Sequence, residues 1–550
     1  MSAQIFKTIQ KAASTMAYNS FVYNWSLKGA VADHLLVKPV DPWPGDAEAA
    51  RALCGGAFTI DHDVLDPHGH WEPAVASPIW ISHMHGFTWL RDLRALGGDH
   101  ARKVARSMIE SWALNYKTWS ETAWAPGVTG ERAAMWIALF EFFGVSADDD
   151  FQDLYFESLT KQARHLSRIL PGDAYGLELL KGVKGLLYAG LAFEGYEAWA
   201  EQALDILKDE IKVQILGDGA HISRSPAQLL DALMILLDIR SALNSAAYPC
   251  PESLQHAIDK MGPALRFFRY SDKHFALFNG AQEAPVKGED LVDCVLGQAN
   301  VRGKGLQSLP CAGYERVSMG RTVLLFDGGK APPYPHEREA HAAPLAFELC
   351  HGKERIFVSC GTHPTSEDWR DSLRSTAAHS AVTLDHRNAY EIGAGGHFMR
   401  RTKDIDIIRE ENKDAALLEG SHDGYVSVNG MTHRRRLFLS DGGHDLRGED
   451  LFTSNIGKPI EALGRPVDVA VRFHIHPRVQ VSLVKDDEEA LLRLPNGIGW
   501  RFSFSAGHLA LEDSIYLGQG AHPRKTKQLV IYGQITEDTA KIKWALHREG

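Results

Sequence analysis

Side chains able to do chemistry gather at five places in this sequence. In GDGAHISRSP (217–226), His221 and Arg224 precede an apolar helix pattern. The first turn of a helix offers free N–H groups and a partial positive charge, so both residues are candidates for holding a carboxylate or sulfate. At 83–91, His83 and His85 come before Trp89 and Arg91. An indole can stack on a sugar ring and a guanidinium can pair a carboxylate through two hydrogen bonds, while the competing reading of Trp89 is helical core. Glu339 and His341 stand in the charged stretch HEREAH (336–341), and His379 stands in AAHS (377–380). An imidazole titrates near ~6.5 and can serve as acid or base at neutral pH; in strand-like segments it is also often buried against a carbonyl. Glu178 titrates just ahead of the apolar run GLLYAG (185–190).

The elements that must carry these residues change character along the chain. Up to about residue 270 apolar side chains recur at helical spacing, most clearly over 150–170, 177–193 and 196–216. SPAQLLDALMILLDIRSAL (225–243) predicts a helix with Ser225 as N-cap, Pro226 in the first position and Gln228 closing a capping box. After about residue 274 the period becomes two. RTVLLFDGGK, AVRFHIHPRVQVSLV and TKQLVIYGQI read as strands bounded by Gly, Pro or Asp. Their short connections predict antiparallel pairing, since parallel strands need long crossovers. The expected division is an all-helical domain over 1–270 and an antiparallel sheet domain over 271–550, with 286–307 as a partly irregular linker.

Composition narrows the function classes. The 550 residues carry a formal charge of −11 with no long basic block, which excludes the electrostatic footprint of a dedicated nucleic-acid binder. No apolar run approaches the ~20 residues of a bilayer span. The first residues lack the apolar core and cleavage site of a secretory signal, so a cytoplasmic location is expected. Six cysteines (54, 250, 294, 311, 350 and 360) show no CxxC or finger-like spacing, so neither a disulfide framework nor a structural zinc module is indicated. The densest basic clusters, Arg434–Arg436 and Arg524, Lys525 and Lys527, are expected at the surface.

Five segments in order, HGFTWLRDLRALGGDHARKVARSMIESW (85–112), GDGAHISRSP (217–226), AHAAPLAFEL (340–349), WRDSLRSTAAHS (369–380) and RFHIHP (472–477), resemble the heparinase II/III-like polysaccharide lyase family, as does the ending EDSIYLGQGAHPRKTKQLVIYG. The resemblance runs from about residue 40 to the end. It implies an α+β fold: an N-terminal (α/α) toroid of helical hairpins followed by a C-terminal antiparallel β-sandwich, with an acidic polysaccharide or oligosaccharide in the cleft between them. The reaction it implies is β-elimination at a 4-linked uronic acid, in which a base removes the proton beside the carboxylate, an acid protonates the leaving oxygen, and a cation or hydrogen-bond donor offsets the charge. No cofactor is required.

The chain departs from the family at its working positions. Where the family has Ser-Pro-x-Tyr, SPAQ puts Gln228; where it has Asn-His, this chain has Leu177 and Glu178; where it has HxHxD, Glu339, His341 and Ala343 remain. The places of the metal ligands found in some members read His341, Ser359 and His379, so bound zinc, with Cys360 nearby, rests on two histidines without the carboxylate. The candidate site is therefore His221, Glu339 and His341 for catalysis, and His85, Trp89, Arg91, Glu178, Arg224 and Gln228 for substrate. The leading expectation is a lyase whose acid and base have moved. The alternatives are a glycan-binding protein that has lost catalysis and a toroid-type glycoside hydrolase using Glu178 with Glu339.

Overall fold

The computed structural model describes residues 15–60, 63–65, 71–74, 76–284, 288–303, 305–454 and 465–549. The chain forms two compact units that interleave in sequence. One comprises Met1–Gln214, Asp231–Ile258 and Asp293–Ala299; the other comprises Ile215–Leu230, Asp259–Val292 and Asn300–Gly550.

The first unit is built from helices, and the expected ones form. Helices Asp149–Ile169, Gly176–Ala192 and Glu197–Gln214 fall within two residues of the predicted spans. The first of them shows how the sequence sets an element. Asp148 caps it by accepting from the Phe151 N–H at 2.9 Å, and Phe151, Tyr155, Leu159, Ala163 and Leu166 form one buried stripe. Helices Pro126–Ala138 and Gly176–Ala192 touch through glycines. A Cβ on Gly130 would stand 2.1 Å from the Lys181 carbonyl oxygen, and one on Gly185 would stand 2.4 Å from the Gly130 Cα. That close approach brings Glu131 of one helix to Lys181 and Lys184 of the other.

Two elements depart from the expected pattern. A hairpin of Phe58–Ile60 with Asp63–Leu65 interrupts the helical region. The linker expected to be irregular at 286–307 holds a helix, Glu289–Gln298 (residues 286, 287 and 304 lie outside the described ones). Leu291, Val292 and Val295 are its buried face, a helical spacing hidden among Glu, Asp and Gly. Among the described residues, no helix is long and apolar enough to cross a membrane.

The second unit holds two large sheets in which every pairing between named strands is antiparallel. An eight-stranded sheet runs in space from Ile405–Glu411 through Ala415–Tyr425, Met431–Ser440 and Asp445–Ser454 to Thr539–Arg548, Gly499–Phe504, Glu489–Arg493 and Gln480–Val484. The other sheet runs from His508–Tyr516 through Arg524–Ile535, Val467–Ile475, Glu354–Val358, Phe347–His351 and Thr322–Asp327 to Tyr314–Met319. They share one apolar core, in which Phe347 of one sheet stacks on Trp544 of the other at 5.5 Å. Helices first and an antiparallel sandwich after them give the α+β class.

Candidate functional site

In the sandwich unit the turn Ile215–His221 closes by an antiparallel bridge between its ends. Gly219 takes φ +87°, and a Cβ there would stand 2.3 Å from the Lys260 carbonyl oxygen, so the turn needs glycine. Asp218 fixes it by accepting from the N–H groups of Cys311 and Ala312 at 2.7 and 2.9 Å. The turn delivers His221 and Arg224. His221 is buried, its Nδ1 is 2.7 Å from the Ser223 hydroxyl, and burial pulls its pKa down to about 3, helped by His336. Arg224 donates to the carbonyls of Ala312 (2.7 Å) and Lys330 (3.1 Å), covers the Tyr314 ring, and pairs with buried Asp327. The carboxylate contact expected of Arg224 is thus made inside the protein.

His341 reaches the same cluster through a residue that the sequence reading passed over. Asn279 accepts from the His341 N–H through Oδ1 (2.9 Å), and its Nδ2 donates to the Tyr314 hydroxyl (2.5 Å) and the Arg224 carbonyl (3.3 Å). The available signal was its Asn-Gly turn in FNGA, where φ is +47°. The backbone N–H groups of Asn279 and Gly280 face His341 Nδ1 and Nε2 at 3.1 and 2.9 Å. A neutral imidazole accepts at one nitrogen only, and an imidazolium would set donors against both amides. Burial, with the charges of Arg374 and Arg224, accordingly drives the His341 pKa well below its ordinary value. Glu339 pairs with Arg370 at 3.2 Å and is partly exposed. Gln228 is half-buried. Its N–H lies 3.4 Å from the Ser225 hydroxyl, and the return arm of the expected capping box is replaced, because the Ser225 N–H donates to Ser223 Oγ at 3.3 Å.

The His379 ring lies against that of His341, with centres 4.1 Å apart and planes tilted by 31°. Its Nε2 donates to the Leu373 carbonyl at 3.0 Å, and burial lowers its pKa to about 3. His341 already faces two amides, His379 Nε2 is committed to a carbonyl, and among the described residues no three His, Cys, Asp or Glu gather. These residues do not fit a zinc ion.

In the helical unit, His85 is fully buried. Its Nδ1 accepts from Trp112 Nε1 at 2.9 Å, its Nε2 lies 3.3 Å from Glu72, and burial beside Arg132 lowers its pKa to about 3. Trp89 is 1% exposed and donates to the Met84 carbonyl at 3.0 Å, so its face is covered by core rather than open to a sugar. Arg91 is buried against Asp41, with Nε and Nη2 each 2.7 Å from one carboxylate oxygen. Glu178 is exposed and pairs with Lys181 at 2.9 Å. Beyond them the sequence reading missed a mixed-charge cluster: Lys184 bridges Glu131 and Asp238, and Asp231 joins Lys181 and Glu131. Asp231 follows Gln228 by three residues on the helix Pro226–Ser245. Its carboxyl is exposed to solvent, so burial does not carry a shift there; Lys181 and Glu131 act on it with opposite signs.

Of the sequence-derived set, His221, Arg224, Gln228, Glu339, His341 and His379 lie in the sandwich unit, while His85, Trp89, Arg91 and Glu178 lie in the helical unit. Residues 99–288 match the family description "Heparinase II/III N-terminus" and residues 301–545 match "Heparinase II/III-like, C-terminal". FtsZ-localized protein C of Caulobacter vibrioides (strain NA1000 / CB15N) is 30% identical over 530 residues, covering 93% of this chain and 90% of that one. The chain belongs to the heparinase II/III-like family. Heparin-sulfate lyase of Bacteroides thetaiotaomicron, a more distant relative, is 22% identical over 460 residues, covering 69% of this chain and 62% of that one. A crystal structure of heparinase III superposes with a TM-score of 0.76 at 15% identity, over 98% of this chain and 91% of that one. A heparan sulfate lyase HepC from Pedobacter heparinus follows at 0.61 and 17% identity, over 93% and 84%. The lineage is that of polysaccharide lyases.

Proposed function

We propose that this chain is a glycan-recognising protein of the lyase lineage that does not carry out β-elimination, and that it localises with FtsZ as its Caulobacter relative is named for doing. The observation that carries the reading is the setting of His341. Elimination needs groups that exchange protons during turnover. At the family's surviving histidine both ring nitrogens face backbone N–H donors, and at the tyrosine's place stands Gln228, which has no proton to give. The partner in this reading is an acidic polysaccharide or oligosaccharide, and the compartment is the cytoplasm.

The test is to incubate the full chain with heparan sulfate and its oligomers while following ultraviolet absorbance, to measure binding by calorimetry, and to image a fluorescent fusion with and without FtsZ. Binding without absorbance growth, and FtsZ-dependent foci, are the expected results. Steady formation of the conjugated double bond overturns the reading. The second reading, a lyase with relocated acid and base, is favoured by Asp231, an exposed carboxyl beside Lys181 and Glu131 one helical turn beyond Gln228. It requires turnover that disappears in Asp231→Asn.

A further inference from the structure

The sandwich unit contains a pocket of about 480 Å³ that the family reading leaves unused. That volume lies in the range of small-molecule sites. Cys360, His474 and Ser514 line it together with the apolar side chains of Leu373, Ala378 and Ile515, and Lys525 is the cation on its wall.

The hydrogen bonds fix the state of His474. Its Nε2 is 2.8 Å from the Ala377 carbonyl, which can only accept, so the ring proton sits on Nε2 and the lone pair on Nδ1. Nδ1 is 2.9 Å from Ser514 Oγ and 3.4 Å from Cys360 Sγ. Of the two donors facing Nδ1, Ser514, half-buried on the strand His508–Tyr516, is the nearer; its hydroxyl can donate to this buried neutral imidazole, whose other nitrogen is held by a carbonyl, and the Ile515 carbonyl, at 3.5 Å, is the other acceptor in its reach. A nucleophile, a base and a group that orients the base thus occur in one line beside an apolar space.

We propose that this pocket is an acyl-transfer site in which Ser514 attacks the carbonyl carbon of a short-chain carboxylic ester and His474 accepts the serine proton. The Oγ–C bond forms as the proton moves to Nδ1. The tetrahedral intermediate then collapses, the ester C–O bond breaks, and the Nδ1 proton passes to the departing alcohol oxygen. Water repeats the sequence, releasing the carboxylic acid and restoring the serine. Leu373, Ala378 and Ile515 take the acyl chain, and Lys525 opposes the charge that builds on the carbonyl oxygen. Cys360 does not compete as nucleophile, because burial pushes its thiol up to about 12 and keeps it protonated. Nothing in this inference depends on whether the family's own site is active.

The full chain is assayed with p-nitrophenyl acetate and treated with a fluorophosphonate, and the labelled peptide is located by mass spectrometry. Label on Ser514 is expected in the native chain. In Ser514→Ala both label and hydrolysis should vanish, the latter by about 10²-fold or more, with the unfolding temperature unchanged; Cys360→Ala should keep both. Absence of label from the native chain, label on another residue, or hydrolysis lost in Cys360→Ala but kept in Ser514→Ala overturns the proposal. If Ser514→Ala does not fold, the position of the label in the native chain decides.

Discussion

Asn279 joins three features that sequence spacing keeps far apart: the His341 backbone, the Tyr314 hydroxyl and the Arg224 carbonyl. Asn279→Ala removes one acceptor and two donated hydrogen bonds inside a buried cluster and places a less tolerant residue at φ +47°. Each orphaned group costs about 1–3 kcal/mol, so the denaturation midpoint should fall by an amount worth at least about 2 kcal/mol, checked by urea unfolding at unchanged slope. A midpoint within error of the native chain would show that the cluster is not cooperative. The histidines and arginines of this region were legible as chemistry-bearing residues, but their commitments were not. Arg224 looks like an anion contact until Asp327, 103 residues away, occupies it. Arg435 makes the same point: from a run of three arginines expected at the surface, strand alternation turns it inward, where it bonds Asp450 Oδ1 at 2.7 Å with no exposure of its side chain. Partners that arrive from distant strands leave no local trace in sequence.

Elements with strong periodicity were readable, and those whose reason is tertiary were not. The stripe of Asp149–Ile169 repeats over several turns and announces itself, whereas the short helix Glu289–Gln298 buries only Leu291, Val292 and Val295. Glycines show a similar division, because their role depends on what lies opposite. Gly130 packs against the backbone of the facing helix, so Gly130→Ala must separate two helices and should destabilise the chain by about 1–3 kcal/mol. Gly297, in Glu289–Gln298, has no heavy atom within 4 Å of its would-be Cβ. Gly297→Ala should therefore be neutral or stabilise by about 0.5–1 kcal/mol through helix propensity. Thermal unfolding of the two variants checks the pair, and equal shifts would sink the packing argument. The same helix contact sets Lys184 between Glu131 and Asp238. Lys184→Met removes the nearest cation from Glu131 and Asp238, leaving them with Lys181 and Arg91 farther off, and should cost up to about 3–5 kcal/mol, whereas exposed Lys103→Met should change stability by less than about 1 kcal/mol.

The molecule as a whole is rich in buried neutral histidines, and that fixes how it should respond to acid. Burial brings the pKa of His85, His165, His221 and His379 down to about 3 and those of His351 and His474 to about 4. In the unfolded chain each returns to ~6.5. Below that value the unfolded state binds more protons than the folded one, so stability is complete above pH ~6.5 and is lost as pH falls. Each group contributes up to about 1.4 kcal/mol per pH unit across its window. Four groups act in the opposite sense. Glu348, raised to about 7 by burial, and Asp238 and Asp327, also raised by burial, take up protons on folding as the pH falls, and His274, raised by its bond to Asp272, keeps its proton to higher pH in the folded chain. His336, His341, His422, His433 and His476 are lowered by burial as well, so the histidines outweigh the opposing groups and stability falls by several kcal/mol per pH unit between about pH 6 and pH 4.5. Against a usual stability of about 5–15 kcal/mol, that slope predicts cooperative acid unfolding with a midpoint between about pH 4 and pH 5.5, well above the range in which carboxylate protonation alone would act. Far-ultraviolet and near-ultraviolet circular dichroism along a pH titration checks it, and retention of both native signals at pH 4 would mean that the buried histidines accept protons without unfolding the chain. His165→Gln removes one such group from a buried site where Tyr23 and the Trp124 carbonyl hold the ring. If the folded variant is compared at matched neutral-pH stability, its acid limb should be shallower by about one proton.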